Sequence, residues 1–232
     1  MKKLFKFILP IAILAVVLVA CAGCGEQKTN LEKLVDRTSY MQEGLYTAAD
    51  DNFDVTLSVI NQEEHFIADG KVGGIMLLST LTLTPHSTDS LSKTYEYTLT
   101  GDVSSVSGTV SKSRLGINLA CKITDISSVG KIQSLTLKEG ETSIEYQLTD
   151  ICPAEFGAQN ALEVAYTHFQ QKIDPALDDN SFDRECYVKL LGQGEKDGKY
   201  YWYVSFIKDK GDYWAAVIDP ETKAVVSARE SK

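Results

Sequence analysis

From residue 52 to about residue 150, apolar residues alternate with polar ones. The runs are Phe53-Val55-Leu57-Val59, Leu77-Ser79-Leu81-Leu83, Tyr95-Tyr97-Leu99, Leu115-Ile117-Leu119-Cys121 and Ile144-Tyr146-Leu148. Period two sends successive side chains to opposite faces, so each run predicts a half-buried strand. Turn signals at Asp69-Gly70, Gly73-Gly74, Pro85, Gly101-Asp102, Gly130 and Glu139-Gly140 separate the runs at the spacing of an antiparallel sandwich or barrel. The many hydroxyl residues between Ser79 and Ser113 suit the solvated face of such a sheet.

On either side of this region the period becomes helical. Thr29-Asn30-Leu31-Glu32 reads as a capping box, and Leu31, Leu34, Val35, Thr38, Met41 and Leu45 then recur at helix spacing, predicting a short amphipathic helix. After Pro153, the residues Ala158, Ala161, Leu162, Ala165, Phe169 and Ile173 form one apolar face, with Gln159, Glu163, Gln170 and Gln171 opposite. A polar, acidic loop from Asp174 to Asp183 follows, then strands at Glu185 to Leu191, Lys199 to Ile207, Tyr213 to Asp219 and Ala224 to Arg229. The expected fold is therefore α+β. An N-terminal antiparallel β-sandwich or barrel-like domain, residues 52–150, precedes a small helix-plus-antiparallel-sheet domain, residues 153–232.

The first residues have a different character. Lys2, Lys3 and Lys6 precede an apolar run from Phe7 to Ala20 that is too short to span a bilayer comfortably. Leu18-Val19-Ala20-Cys21 resembles a bacterial lipobox, which implies cleavage of residues 1–20 and acylation of Cys21. Cys24 is the rival acceptor, but Cys21 would occupy the position where lipoboxes carry an aliphatic residue. Residues 21–51 then form the anchor, a short tether and the first helix, and the expected location is extracytoplasmic, on a bacterial membrane. Several acyl chains, at about 0.8 kcal/mol per buried methylene, hold a soluble domain there without a transmembrane helix.

Composition narrows the partners. Acidic residues outnumber basic ones 32 to 23, for a net charge of −9, and such a surface repels nucleic acid and anionic headgroups alike. Membrane contact is thus expected through the lipid alone. Beyond the leader lie Cys121, Cys152 and Cys186, an odd set that admits one disulfide or three buried thiols. They match no zinc spacing, and His65, His86 and His168 are not paired at helix or strand spacing, so no metal or cofactor is expected.

In the last third, the helix is followed by Tyr201-Trp202-Tyr203-Val204-Ser205-Phe206, Tyr213-Trp214-Ala215-Ala216-Val217-Ile218-Asp219 and Thr222-Lys223-Ala224-Val225-Val226. This order resembles the PepSY module over residues 153–232. The resemblance implies a non-catalytic unit that binds or restrains a peptidase. Pairing the two aromatic strands about Asp209-Lys210 puts Tyr200, Trp202, Val204, Phe206, Tyr213 and Val217 on one face, and Tyr201, Tyr203, Ile207, Trp214 and Ile218 on the other. One helix covers one face. The second needs another cover, ranked as the β-rich domain, then a partner chain, then a small ligand. Tyr201, Tyr203 and Trp214 are the candidate partner- or ligand-binding residues.

Catalytic motifs are thin. Ser90-Leu91-Ser92-Lys93 and Ser128-Val129-Gly130-Lys131 match Ser-x-x-Lys but lie in strand-and-turn surroundings without that motif's partners. The glycines of 192–198 precede a strand, where no helix N-terminus is offered to a phosphate. Asp174, Asp178, Asp179, Asn180, Asp183 and Glu185 lack the glycine and spacing of a calcium loop. No catalytic residue is assigned. The expected function is a non-catalytic, protein-binding or regulatory lipoprotein with an envelope or secreted partner, including a peptidase. The alternative is a small-molecule or glycan-binding lipoprotein that stacks its ligand on Trp202, Trp214 and nearby tyrosines. A hydrolase with a dispersed site ranks third.

Overall fold

A computed structural model describes residues 28–65, 67, 71–152, 155–178, 181–192 and 199–231. The expected leader with Cys21 and Cys24, the Asp69-Gly70 turn, Pro153, Asp179, Asn180 and the glycine-bearing segment 193–198 lie outside the described residues. Among the described residues two α-helices, α1 (Asn30–Asp36) and α2 (Ala158–Ala176), accompany the strands. The first nine strands are β1 (Thr38–Ala49), β2 (Phe53–Glu63), β3 (Ile75–Pro85), β4 (Tyr95–Gly101), β5 (Ser105–Lys112), β6 (Leu119–Ile123), β7 (Ile132–Glu139), β8 (Thr142–Gln147) and β9 (Thr149–Asp150). After α2 come β10 (Glu185–Leu191), β11 (Tyr201–Ile207), β12 (Tyr213–Asp219) and β13 (Ala224–Ser231).

The expected α+β division, a sandwich or barrel-like domain beside a separate helix-plus-sheet domain, is not what forms. All 13 strands join one mixed sheet in the order β13-β12-β11-β10-β1-β2-β3-β6-β5-β4-β7-β8, with β9 paired to β1, and the fold is β-rich. The join is β1. Thr38, Tyr40 and Met41 pair in parallel with Cys186, Tyr187 and Val188, while the other edge of β1 runs antiparallel to β2. Among the described residues every other strand pairing is antiparallel. A central strand satisfies both rows of its backbone N–H and C=O groups, a gain that depends on distant neighbours and leaves no local pattern.

That gain also ends the first helix early. Thr29 caps α1 through the expected box, its hydroxyl accepting from Glu32 N while Glu32 Oε2 accepts from Thr29 N. The helical spacing of Thr38, Met41 and Leu45 suggests a longer helix, yet α1 stops at Asp36 and these residues lie in β1. Thr38 turns its hydroxyl back onto Leu34 O at 3.0 Å, closing the helix as the strand begins. A second departure is the run through Leu115 and Ile117. Gly116, at φ +74°, makes a turn there, leaving Leu115 and Ile117 83% and 69% exposed, and β6 starts only at Leu119.

Two apolar clusters pack against this one sheet. Leu57, Leu81, Leu83, Leu99, Leu119, Leu135 and Tyr146 form one, enclosed by β2 to β8. The sheet path curls round it, because β9 follows β8 after a single residue and pairs with β1 at Tyr46 and Thr47. The second cluster lies under α2, whose Ala158, Ala161, Leu162, Ala165, Phe169 and Ile173 are all buried against β10 to β12, with Leu34 of α1 at its margin. Full burial of residues such as Leu162 and Phe169 contributes about 1.5–3 kcal/mol each. The α2 end is tied to α1 through Asp174, which accepts from Asn30 Nδ2 at 3.0 Å and from Tyr166 Oη at 2.8 Å.

Candidate binding site on the sheet face opposite the long helix

The β11–β12 hairpin settles which aromatic side chains share a face. Phe206 pairs with Trp214, Val204 with Ala216 and Trp202 with Ile218. Asp209 sets this register: its Oδ1 accepts from Gly211 N at 2.8 Å and Asp212 N at 2.9 Å, fixing a loop between Ile207 and Tyr213. Expected pairing about Asp209-Lys210 differs by one residue, and a one-residue slip moves every side chain of β12 to the other face. Trp214 and Ile218 therefore join Trp202 beneath α2, while Tyr213 and Val217 join Tyr201 and Tyr203.

Of the three candidate residues, the structure groups Tyr201 with Tyr203 and separates Trp214 from them. Trp214 is 8% exposed, with ring centroids of Phe206 and Phe169 each 6.4 Å away. Trp202 is fully buried and its indole N–H donates to Phe156 O at 2.9 Å. Neither tryptophan offers a stacking surface, so the alternative of a ligand stacked on both loses its residues.

The face opposite α2 carries a different set. Tyr203 pairs with Lys189 and Tyr201 with Leu191 across β11 and β10, and Tyr187 pairs with Ser205 on one side and Tyr40 on the other. Lys189 Nζ lies 4.6 Å from the Tyr40 ring centroid and 5.3 Å from that of Tyr187. Farther out, Arg229 approaches the Tyr213 ring at 5.8 Å. Ser205 and Ala215, small and buried, floor the space between these larger side chains. Among the described residues neither helix lies on this face, since both belong to the opposite cluster.

Its chemistry is that of a half-buried aromatic surface with basic points. Burial pushes the Tyr40 phenol above its ordinary value, and burial together with the Glu185 and Glu63 charges does the same for Tyr187, so both hydroxyls stay protonated donors. Glu185 lies buried at the margin, accepting from Ser39 Oγ at 2.5 Å. Tyr40, Tyr187 and Lys189 escape sequence reasoning because Tyr40 reads as helical and no local signal reports the parallel β1–β10 pairing. The alternation Glu185, Tyr187, Lys189 was the available hint.

The remaining sequence candidates are engaged elsewhere. Lys93 donates to Glu139 Oε2 at 3.1 Å, and this hydrogen bond raises its pKa, opposite to the shift of a serine-activating lysine. Ser128 donates to Asp125 O at 2.7 Å. Asp174, Asp178, Asp183 and Glu185 serve Tyr166, Ser181, Lys208 and Ser39 respectively, and do not converge. Cys121, Cys152 and Cys186 are free thiols. Burial pushes Cys121 up to about 11, and Cys152 and Cys186 up to about 12. Among the described residues no helix is long and apolar enough to cross a membrane.

No protein-family model, curated protein or solved structure matches this chain.

Proposed function

We propose that the protein is a lipid-tethered, extracytoplasmic recognition module that acts by binding another polypeptide through the face of β12, β11, β10 and β1 opposite α2. The observation that carries this reading is the cluster of Tyr40, Tyr187, Tyr201 and Tyr203 around Lys189 on a rigid sheet. Tyrosines supply large contact area at low conformational cost, and they concentrate in protein interfaces because one end is apolar and the other donates. Lys189 and Arg229 give the face positive points within an acidic chain, which favours a partner contact containing carboxylates beside apolar groups. The lysine-led leader and the lipobox-like Leu18 to Cys21 support attachment to an envelope through Cys21. The PepSY resemblance of the last third suggests a secreted or envelope peptidase as the first partner to try.

The test is a crosslinking pull-down from envelope extract, comparing wild type with Tyr203→Ala and Tyr187→Ala after circular dichroism shows both folded. Recovery of one peptidase or other envelope protein by wild type, lost in both folded variants, supports the reading. Capture unchanged by either variant removes this face from the interaction.

A further inference from the structure

Strand β3 is longer than its outer neighbour. It pairs with β2 along its whole length, from Glu63↔Ile75 to Phe53↔Pro85, but with β6 only from Ser79 to Leu83. Ile75, Met76, Leu77 and Leu78 consequently have a strand on one side and, among the described residues, no strand on the other. Sheet edges are normally shortened, charged or covered, because unpaired N–H and C=O groups accept any extended chain. This one is apolar and exposed, bounded by the turn Ile126–Ser128 that follows β6: Ile75 is 47% exposed, and Met76 and Leu77 are 38% exposed. Beside it is a pocket of about 410 Å³ whose lining includes Leu77, Val59, Tyr46, Ile126, Ile132 and Glu43. Leu77 and Val59 share a face through their pairings with Asn61 and Ser79, so the pocket opens on one side of the free edge.

We propose that β3 takes an added strand at Ile75–Leu78, the occupant being an extended segment of a partner polypeptide with alternate apolar side chains and a basic residue. Backbone hydrogen bonds to the edge supply affinity, and an apolar side chain entering the pocket supplies selectivity. The exposed carboxylate of Glu43, already accepting from Asn61 at 2.7 Å, selects the basic residue, in keeping with the −9 net charge. A second copy of this chain is a poorer occupant. Only four residues of edge are offered, far short of the roughly 1,200 Å² of buried surface that a stable complex of two folded chains needs. The edge stands apart from the tyrosine face, and each is open to its own test.

The probe is a synthetic peptide of alternating leucine and threonine with lysine at each end, added to the full chain in detergent and followed by amide hydrogen exchange. The expected result is slowing of exchange by about tenfold or more at the two of the Ile75–Leu78 amides that point away from β2. Methylating the alternate peptide nitrogens that face the edge abolishes the slowing, whereas methylating the other set leaves it. Glutamate in place of the terminal lysines weakens it, and Leu77→Lys, checked for native circular dichroism, removes it. Absence of slowing at these two amides, equal loss from both methylation patterns, or slowing that rises with protein concentration without peptide each overturns the proposal.

Discussion

The Arg184 guanidinium lies 3.6 Å from the centroid of the Trp214 ring. It is held there by Asp212, which accepts from Arg184 Nη1 at 2.8 Å and Nη2 at 3.1 Å. Lys172, itself paired with Glu230, stands 5.9 Å from the same ring. Arg184 is only 7% exposed, so the cation, its carboxylate and the indole form one packed unit at the margin of the α2 cluster. Trp214 is thereby a packing residue. Trp214→Ala is expected to cost about 3–5 kcal/mol in urea unfolding, while Tyr203→Ala, on the half-buried opposite face, costs about 1 kcal/mol or less. Equal losses would place the two side chains in equivalent surroundings and contradict the Phe206↔Trp214 register.

Trp202 contributes packing and one hydrogen bond, the donation to Phe156 O. Trp202→Phe keeps an aromatic ring but leaves that buried carbonyl without its donor, at an expected cost of about 1–3 kcal/mol beyond the change in volume. Near-ultraviolet circular dichroism and thermal unfolding read the effect. An unchanged melting temperature would show that the bond contributes nothing net.

The Asp174 clasp between α1 and α2 makes stability depend on acid pH. Burial raises the Asp174 pKa, but hydrogen bonds from Tyr166, Asn30 and Gln170 outweigh it, leaving the carboxyl below its ordinary value. A depressed folded pKa contributes stability above the unfolded value, about 3.9, and that contribution fades as pH falls through the lower folded value. Wild type is therefore expected to exceed Asp174→Asn in stability near neutral pH. The difference should shrink below about pH 4. A difference that stays constant down to strongly acid pH would remove the carboxylate from the linkage.

Lys223 closes the β12–β13 turn at φ +55°, a left-handed conformation that costs a residue with a Cβ about 1–2 kcal/mol. Its N–H donates to Asp219 O at 2.8 Å, and Asp219 Oδ1 accepts from Glu221 N, so the turn is otherwise satisfied. Lys223→Gly is expected to stabilise the fold by up to about 1 kcal/mol, the relief of strain offset in part by the freer unfolded chain. Chemical denaturation measures this, and a destabilised variant would show that the lysine side chain matters more than the backbone.

The buried thiols should resist alkylation in order of burial. At pH 8, with Cys186 fully buried and pushed up to about 12, iodoacetamide mapped by mass spectrometry is expected to label Cys186 only after unfolding. Cys121 and Cys152, half-buried and shifted to about 11 and about 12, should react slowly in the folded chain. Rapid native labelling of Cys186 would mean that β10 opens from β1.

Much of the element pattern was legible because it is local. The capping box at Thr29 forms, the apolar stripe from Ala158 to Ile173 is the buried side of α2, and Phe53 to Val59 alternates as a buried strand face. Apolar period and turn residues act over a few positions, so they survive in the linear string. Tyr201 and Tyr203 fall on one face for the same reason, as alternate residues of a strand. Trp214 was misplaced because its face depends on one residue of loop length, set by the Asp209 hydrogen bonds.

By itself, then, the sequence determined helix α2, the strand faces at Phe53–Val59 and Tyr201–Ile207, and the net charge of −9. Only the tertiary structure decided that both halves share one sheet, that Tyr40 and Tyr187 meet over Lys189, and that β3 outruns β6. Those features arise from hydrogen bonding between residues far apart, Tyr40 with Tyr187 being the plainest case. Their free energy belongs to the pairing of whole strands, which competes with local helical spacing at Thr38 to Leu45 and wins by satisfying two rows of backbone groups at once.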